Sequence, residues 1–387
     1  MAIGLATATC IGVVIVAFAA WVFVLVLGRN GMFKGTAVER ARAFVDDGLP
    51  AAVARWMERS AVARWVAGCA ESVWQRLFGR RTAVFQTMAV GLYWAGLAIF
   101  AVQAAPLIPN RYVGRWHWVP ILATLGVNMA SYTAACAADP GVVTPANEDS
   151  AVDAFPYDRL LYFPNKACRT CHTRKPARSK HCSVCGCCVQ MLDHHCIWLN
   201  NCVGLRNVRW FLTFLASFAV VCTYGTYLLG SVLLEIRAQR GLDRMTVWDD
   251  DLGRAEQVSL TTSLLYVLDD SPLLAVVTVL LAVLTPAIAI FFVYQVRISA
   301  CGYTTNEETK WLNVADAVAD GVVFEIGAAE PWYEVIEKDA QASDTRPRKL
   351  VGSLAEVANI YDCGAWANLR FLLFPPLSAS ASGKKLH

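Results

Sequence analysis

Charged side chains are scarce in this sequence. Asp, Glu, Lys and Arg make up 17% of its 387 residues, against roughly 25% in an ordinary soluble domain, while 56% are hydrophobic. An excess of one sign is also missing. A net charge of +3 is too small for a nucleic-acid surface, so no nucleic-acid partner is expected. The first apolar run has no charged leader and exceeds the roughly 7–15 residues of a secretory signal core, so it reads as an uncleaved anchor. Without a secretory leader, fourteen cysteines, mostly in CxxC-type spacing, read as metal ligands in a reducing compartment rather than a disulfide framework. No internal repeat is apparent, and the one biased stretch is the short Ser/Ala/Gly/Lys ending.

The apolar residues are concentrated in five runs: Ile3–Leu27, Ala83–Ala105, Trp118–Ala138, Trp210–Ile236 and Pro272–Val296. Each has about 20 residues or more, enough at 1.5 Å per residue to cross roughly 30 Å of hydrocarbon. The expected fold class is an all-α polytopic membrane protein of about five transmembrane helices with a small cytosolic zinc-binding cysteine-rich domain. Loop charge orients it. Residues 29–82 carry ten Arg or Lys against five acids, whereas 237–258 carry four Arg against five acids, including Asp249-Asp250-Asp251. Positive loops stay cytosolic. The expected organisation is an anchor over 1–28, a cytosolic basic segment over 29–82, helices two and three over 83–138, and the cysteine-rich domain over 139–209. A fourth helix over 210–236, a lumenal loop over 237–271, a fifth helix over 272–296 and a cytosolic tail over 297–387 complete it. Val53, Trp56, Met57, Val62 and Trp65 recur at helical intervals, the pattern of a helix lying on the membrane surface.

Between Cys168 and Cys202, 35 residues hold eight of the fourteen cysteines and four of the six histidines. Structural zinc takes four ligands, commonly three Cys and one His. Two such sites use six cysteines and two histidines, leaving two of each. An interleaved division fits the spacing. Cys168, Cys171, His181 and Cys188 would hold one zinc ion, and Cys182, Cys185, His195 and Cys202 the other. That frees Cys196, His194, Cys187 and His172. Of these, Cys196 lies two residues from His194, with Asp193 beside that histidine. An imidazole near a thiol can take its proton, and a carboxylate fixes the tautomer. Neighbours on an extended strand point oppositely, so uniting the three is expected to require a turn. A zinc-braced membrane adaptor that binds clients without reaction also satisfies the ligand count.

At these residues the chain resembles the DHHC protein S-acyltransferases, the S-palmitoyltransferases. The run from Cys168 to Asn207 follows that family's cysteine-rich domain through Lys175-Pro176, Arg178, His181-Cys182, Asp193-His194-His195-Cys196, Trp198, Asn201-Cys202, Gly204 and Asn207. Asp139-Pro140-Gly141 and Thr304-Thr305-Asn306-Glu307 match further motifs. The stretch from Asn359 to Asn368 resembles the C-terminal motif, with Ile360 where proline is usual. The resemblance implies that Cys196 accepts the acyl group, His194 is the general base and Asp193 orients it. It also implies two structural Zn2+ ions on the interleaved ligands and a long-chain acyl-CoA co-substrate. Thr304, Thr305 and Glu307 are expected to brace the active-site loop, Tyr361 and Asn368 to pack the tail, and Asp139 to play a structural part. Most members have proline after the DHHC residues, whereas this chain has Ile197. The HHCIWxNNC form with an extra N-terminal span is similar to the fungal branch that acylates SNARE proteins at cysteines beside their membrane anchors.

Further expectations combine this resemblance with the residues. Lys175, Arg178, Lys180, Arg206 and Arg209 flank the site as candidate partners of CoA phosphates. Spans two to five are expected to enclose an apolar cavity for the acyl chain, with Cys196 at its cytosolic mouth. Gly91, Gly96, Gly126, Gly225 and Gly230 are candidate points of close helix approach. Asn128 and Asp139 are expected to find polar partners. The terminal Lys384-Lys385-Leu386-His387 resembles a dilysine signal for the endoplasmic reticulum membrane.

Overall fold

The computed structural model describes residues 37–43, 65, 68–69, 72, 81–249, 254–326, 332–335, 348–357 and 359–375. The anchor over Ile3–Leu27, the stretch from Val53 to Val62 and the terminal lysines lie outside them. Among the described residues the helices are α1 (Ala37–Ala43), α2 (Val84–Ile99), α3 (Trp118–Ala137), α4 (Glu148–Val152), α5 (Val208–Gln239), α6 (Leu260–Asp270), α7 (Pro272–Ala300), α8 (Thr305–Ala319) and α9 (Ala365–Leu373). Short strands form antiparallel pairs. These are β1 (Lys180–Cys182) with β2 (Cys187–Val189), β3 (His194–Cys196) with β4 (Asn201–Val203), and β5 (Thr246–Asp249) with β6 (Arg254–Gln257). Strands β7 (Val323–Ile326), β8 (Trp332–Val335) and β9 (Arg348–Leu350) make a three-stranded sheet in the order β8-β7-β9.

Four helical stretches are long and apolar enough to cross a membrane: Val84–Leu107, Arg115–Ala137, Val208–Gln239 and Pro272–Ala300. They correspond to the second to fifth expected runs. Little of their surface meets protein. Only 6% of the most apolar window of the first and the last is buried, and Leu92, Val102, Val119, Leu122 and Val293 are exposed. An apolar surface of that extent needs hydrocarbon around it. This is a multi-pass membrane protein.

The chain divides into two units. The first comprises residues 87–131 and 213–292 of the described chain. Its core joins Ile108, Val113 and Ile121 to Leu228, Leu229, Val232, Val267 and Leu274. Polar links add specificity inside the apolar helices. Asn128 donates to Ser217 at 3.1 Å, and Thr226 and Thr285 hydroxyls lie 3.1 Å apart. Asn128 thus has the partner expected of it. The glycines divide. A Cβ at Gly225 would sit 2.9 Å from Leu281, whereas Gly91, Gly96, Gly126 and Gly230 have nothing within 4 Å. Among the described residues, only Gly225 of the five marks a close helix approach.

The second unit comprises described residues up to 86, 132–212 and 293–375. The buried positions Trp311, Val314 and Val318 recur at three- and four-residue intervals, so one face of α8 packs on Val323, Val351 and Val357. A capping box starts that helix. Thr304 Oγ1 accepts from the Glu307 N–H, and Glu307 accepts from the Thr304 N–H. Asp139 caps the turn after α3, accepting from the N–H groups of Gly141 and Val142, and pairs with Arg206 at 3.1 Å. Asn368 donates to the Ala300 carbonyl at 2.9 Å, which satisfies one of the open carbonyls ending α7. Glycine is required at 204, where a Cβ would lie 2.6 Å from the Pro140 carbonyl oxygen and 2.9 Å from that of Gln190. Gly204→Ala is expected to cost about 1–3 kcal/mol through overpacking, read as a lower thermal midpoint of the detergent-solubilised protein.

Candidate active site and metal centres

Two hairpins build both metal centres by strand alternation. In the first, His181 pairs directly with Cys188, and in the second His195 pairs with Cys202. Each histidine and its cross-strand cysteine belong to one cluster. Cys168, Cys171, His181 and Cys188 converge, as do Cys182, Cys185, His195 and Cys202, with ligand atoms within 4.8 Å of one another. These are the two sets anticipated from spacing. His181 Nδ1 lies 3.6, 3.2 and 3.9 Å from the sulfurs of Cys168, Cys171 and Cys188. His195 Nδ1 lies 3.7, 3.3 and 3.6 Å from those of Cys182, Cys185 and Cys202. A zinc tetrahedron with bonds of about 2.3 Å to sulfur and 2.0–2.1 Å to nitrogen has S···N edges of roughly 3.5 Å, so the donors fit that ion.

The electrostatics agree with the donor chemistry. The Cys202 thiol is pushed far up by its hydrogen bond to Cys182 and by burial, and Cys188 by burial and by its hydrogen bonds to Cys168 and Cys171. Thiolates this close coexist only around a cation. Cys168→Ala is therefore expected to lower bound zinc from two ions per chain to one or none and to loosen the domain. Zinc quantification beside a thermal melt checks this.

The two ligand sets form an internal repeat, where none is expected from the sequence analysis. The ligands of the second cluster are those of the first displaced by fourteen residues: Cys168 to Cys182, Cys171 to Cys185, His181 to His195 and Cys188 to Cys202. The pattern C-x2-C-x9-H-x6-C, written twice in overlapping frames, was the signal available. One further step takes Cys182 to Cys196, but Cys185 to Leu199. Cys196 occupies the opening position of a third set that has no other members. It belongs to neither cluster.

On strand β3, His194 and Cys196 lie two residues apart and share one face, while His195 turns to the metal cluster on the other. The alternation of the strand itself separates the metal ligand His195 from His194 and Cys196, while Asp193, which precedes the strand, reaches the His194 ring with its side chain. His194 Nδ1 is 2.6 Å from Asp193 Oδ2. Asp193 is held in turn by the Thr305 N–H at 2.6 Å and the Thr305 hydroxyl at 2.9 Å. Phe211 packs edge-on to the His194 ring with centroids 5.2 Å apart. Cys196 is 8% exposed. Burial opposes charge on His194, but the Asp193 carboxylate and the Cys196 sulfur outweigh it and lift its pKa to about 10. Burial also opposes the Asp193 charge, yet its hydrogen bonds to His194 and Thr305 hold its carboxyl below the usual range. The arrangement sets the His194 ring, oriented by Asp193, beside the Cys196 sulfur.

Other anticipated residues fall into place around this group, and one is corrected. Arg178 is 5% exposed. Its guanidinium donates to Glu307 Oε1 at 2.8 Å, to Glu307 Oε2 at 2.5 Å and to the Gly302 carbonyl at 2.8 Å, and it stacks over Tyr361. It is consumed by structure and does not face a phosphate. Tyr361 also donates to the Pro156 carbonyl at 2.8 Å. Lys180, exposed, donates to Asn306 at 2.8 Å, and Arg209 lies over the Trp210 ring. Lys175 is half-buried and His172 exposed.

The model of the family described as DHHC palmitoyltransferase matches residues 162–312, the stretch that contains both clusters, β3 and the Thr304–Glu307 motif. The chain is 29% identical to palmitoyltransferase swf1 of Schizosaccharomyces pombe across 92% of this chain and 93% of that protein. It is 27% identical to palmitoyltransferase SWF1 of Yarrowia lipolytica across 93% and 97% of the two chains. With palmitoyltransferase ZDHHC4 of Rattus norvegicus it shares 33% identity across 67% of this chain and 68% of the relative. With its paired Cys3His clusters, its Asp-His-x-Cys strand and these relatives, the chain belongs to the DHHC palmitoyltransferase family.

Proposed function

We propose that this protein moves a long-chain acyl group from acyl-CoA to cysteines of membrane-anchored proteins through a thioester on Cys196. The reading rests above all on the division of strand β3: His195 goes to a metal cluster, while Cys196 keeps an unliganded sulfur beside the Asp193–His194 pair. Zinc, held by the eight cluster residues, supplies cross-links that fix the hairpins; four-ligand sites leave no position for substrate.

The residues act in two steps. His194 takes the proton of Cys196. The Cys196 thiolate attacks the acyl-CoA thioester carbonyl, the bond to the CoA sulfur breaks, and CoA leaves as a thiol with the His194 proton. His194, now neutral beside an uncharged thioester, takes the proton of an acceptor cysteine. That thiolate attacks the Cys196 thioester, the acyl group passes on, and the imidazolium–thiolate pair is restored. One thioester replaces another at each step, so the catalyst mainly positions and deprotonates. General-base assistance contributes about 10²–10⁴-fold. Asp193 fixes the ring through Nδ1 and Thr305 fixes Asp193. Thr305→Val, which keeps shape and loses the hydroxyl, is expected to slow self-acylation about 10-fold or more, measured with labelled palmitoyl-CoA at saturating concentration.

A sixteen-carbon tail gains about 0.8 kcal/mol per CH2 on leaving water, which draws the donor and the acceptor to the bilayer. Lys175, Lys180, Arg206 and Arg209 remain the candidate partners of CoA phosphates. The positive loop rule supports a site on the cytosolic face. The terminal dilysine supports the endoplasmic reticulum membrane, and the HHCIWxNNC form supports SNARE-type acceptors with cysteines beside the anchor. Incubation with radiolabelled palmitoyl-CoA tests the reading: label on Cys196 that hydroxylamine removes, and that chases onto an acceptor peptide, is expected. Stable binding of acceptors with no label on any cysteine identifies an adaptor instead.

A further inference from the structure

The peptide that follows Cys196 is held in an unusual way. Residues Ile197–Asn200 form the turn between β3 and β4, with Asn200 at φ 50° and its N–H bonded to the Ile197 carbonyl. Ile197 lacks the ring that fixes φ in a proline, so the chain itself does not stiffen this turn. Instead, three successive carbonyls each accept a side-chain donor from outside the cysteine-rich segment. The Tyr132 hydroxyl donates to Trp198 O at 3.0 Å, Gln86 Nε2 to Leu199 O at 3.4 Å and Arg81 Nε to Asn200 O at 3.0 Å. Turn carbonyls ordinarily bond water or nothing. Phe85 packs edge-on to Trp198 with centroids 5.9 Å apart.

The bonding also runs the other way. Asn201, the cross-strand partner of Cys196, donates to the carbonyls of Ala135, Cys136 and Ala138 at 3.2, 3.2 and 3.0 Å. These are open carbonyls at the end of α3. Cys196 is therefore flanked by a turn held by donors from the start of α2 and the end of α3, and by a strand that caps α3. A nucleophile displaced by about 1 Å loses roughly 10²-fold in rate, so a fixed turn one residue away has kinetic weight.

We propose that Tyr132 and Gln86, aided by Arg81, are positioning residues that aim the Cys196 sulfur. The proposal rests on the acyltransferase reading for its kinetics but on the carbonyl contacts for its geometry. The test uses the full-length protein in detergent and the variants Tyr132→Phe, Gln86→Leu and Arg81→Lys. Self-acylation is followed as kcat and KM for palmitoyl-CoA, together with zinc content and thermal midpoint. Tyr132→Phe and Gln86→Leu are expected to lower kcat about tenfold with KM within about twofold, two zinc ions kept and the midpoint little changed. Arg81→Lys, which retains a donor, is expected to stay near wild type.

A kcat within about twofold of wild type in both Tyr132→Phe and Gln86→Leu overturns the proposal. So does a loss of rate that comes with lost zinc or a matching fall in thermal midpoint, which marks a merely structural role. Iodoacetamide labelling of Cys196, quantified by peptide mass, separates the two readings. If wild type takes no acyl group, the acyltransferase reading fails alone. Slower alkylation in Tyr132→Phe and Gln86→Leu then still supports the clamp, and equal rates overturn it.

Discussion

Cys196→Ser is expected to lose acyl uptake by at least about 10³-fold while both zinc ions stay bound. Serine keeps nearly the shape of cysteine, so the buried site is not emptied. The hydroxyl, however, holds its proton far more tightly than a thiol, and an imidazolium neighbour cannot ready it for attack. Metal retention follows because neither cluster includes residue 196. The pair of readouts separates chemistry from folding. Lost uptake with lost zinc would mean that Cys196 holds metal, whereas uptake that persists would place the nucleophile on another cysteine outside the clusters, such as Cys136 or Cys187.

Glu307→Ala is expected to be the most destabilising single substitution discussed, at about 3–5 kcal/mol. Arg178 and Glu307 are 5% and 2% exposed, so the arginine left behind would be a buried charge without its partner. The same carboxylate also accepts from the Tyr162 hydroxyl at 3.1 Å and the Thr304 N–H at 3.0 Å. Its loss therefore opens the cap of α8 and strands further donors. Because Thr305, two residues before Glu307 in the same first turn of α8, holds Asp193, activity should fall with the thermal midpoint. A paired Arg178→Met and Glu307→Met variant should recover much of the stability, since a well-packed apolar pair often equals a buried ion pair, without restoring the Arg178 bond to Gly302. Thermal melts of the three variants measure it, and a midpoint unchanged in Glu307→Ala would show the pair to be marginal.

The membrane helices were readable from length and apolarity because no other environment tolerates such runs. The metal ligands were readable because thiol and imidazole spacing is dictated by a tetrahedron. The fourteen-residue displacement between the two ligand sets is equally present in the sequence, and it shows why Cys196 is left over. That His194 and Cys196 share a face follows from the alternation of β3, whereas the contact of Asp193 with His194 joins neighbours at the start of that strand and has no such signal. Arg178 was assigned to phosphate by its charge. Nothing local to Arg178 reveals a partner 129 residues away, and only tertiary structure shows Glu307 enclosing it. The same holds for the glycines, of which packing among the described residues selects Gly225 alone, and for Tyr132 and Gln86, whose partners in the turn are backbone carbonyls that carry no sequence signal at all.

The account depends on one sulfur remaining outside the metal clusters while eight other side chains fill them. Native mass spectrometry of the full-length protein after exposure to palmitoyl-CoA, followed by peptide mapping, tests this directly. The prediction is a species holding two zinc ions and one hydroxylamine-labile acyl group, mapped to Cys196. An acyl group on a different cysteine, or a zinc ion lost in step with acylation of Cys196, would contradict it.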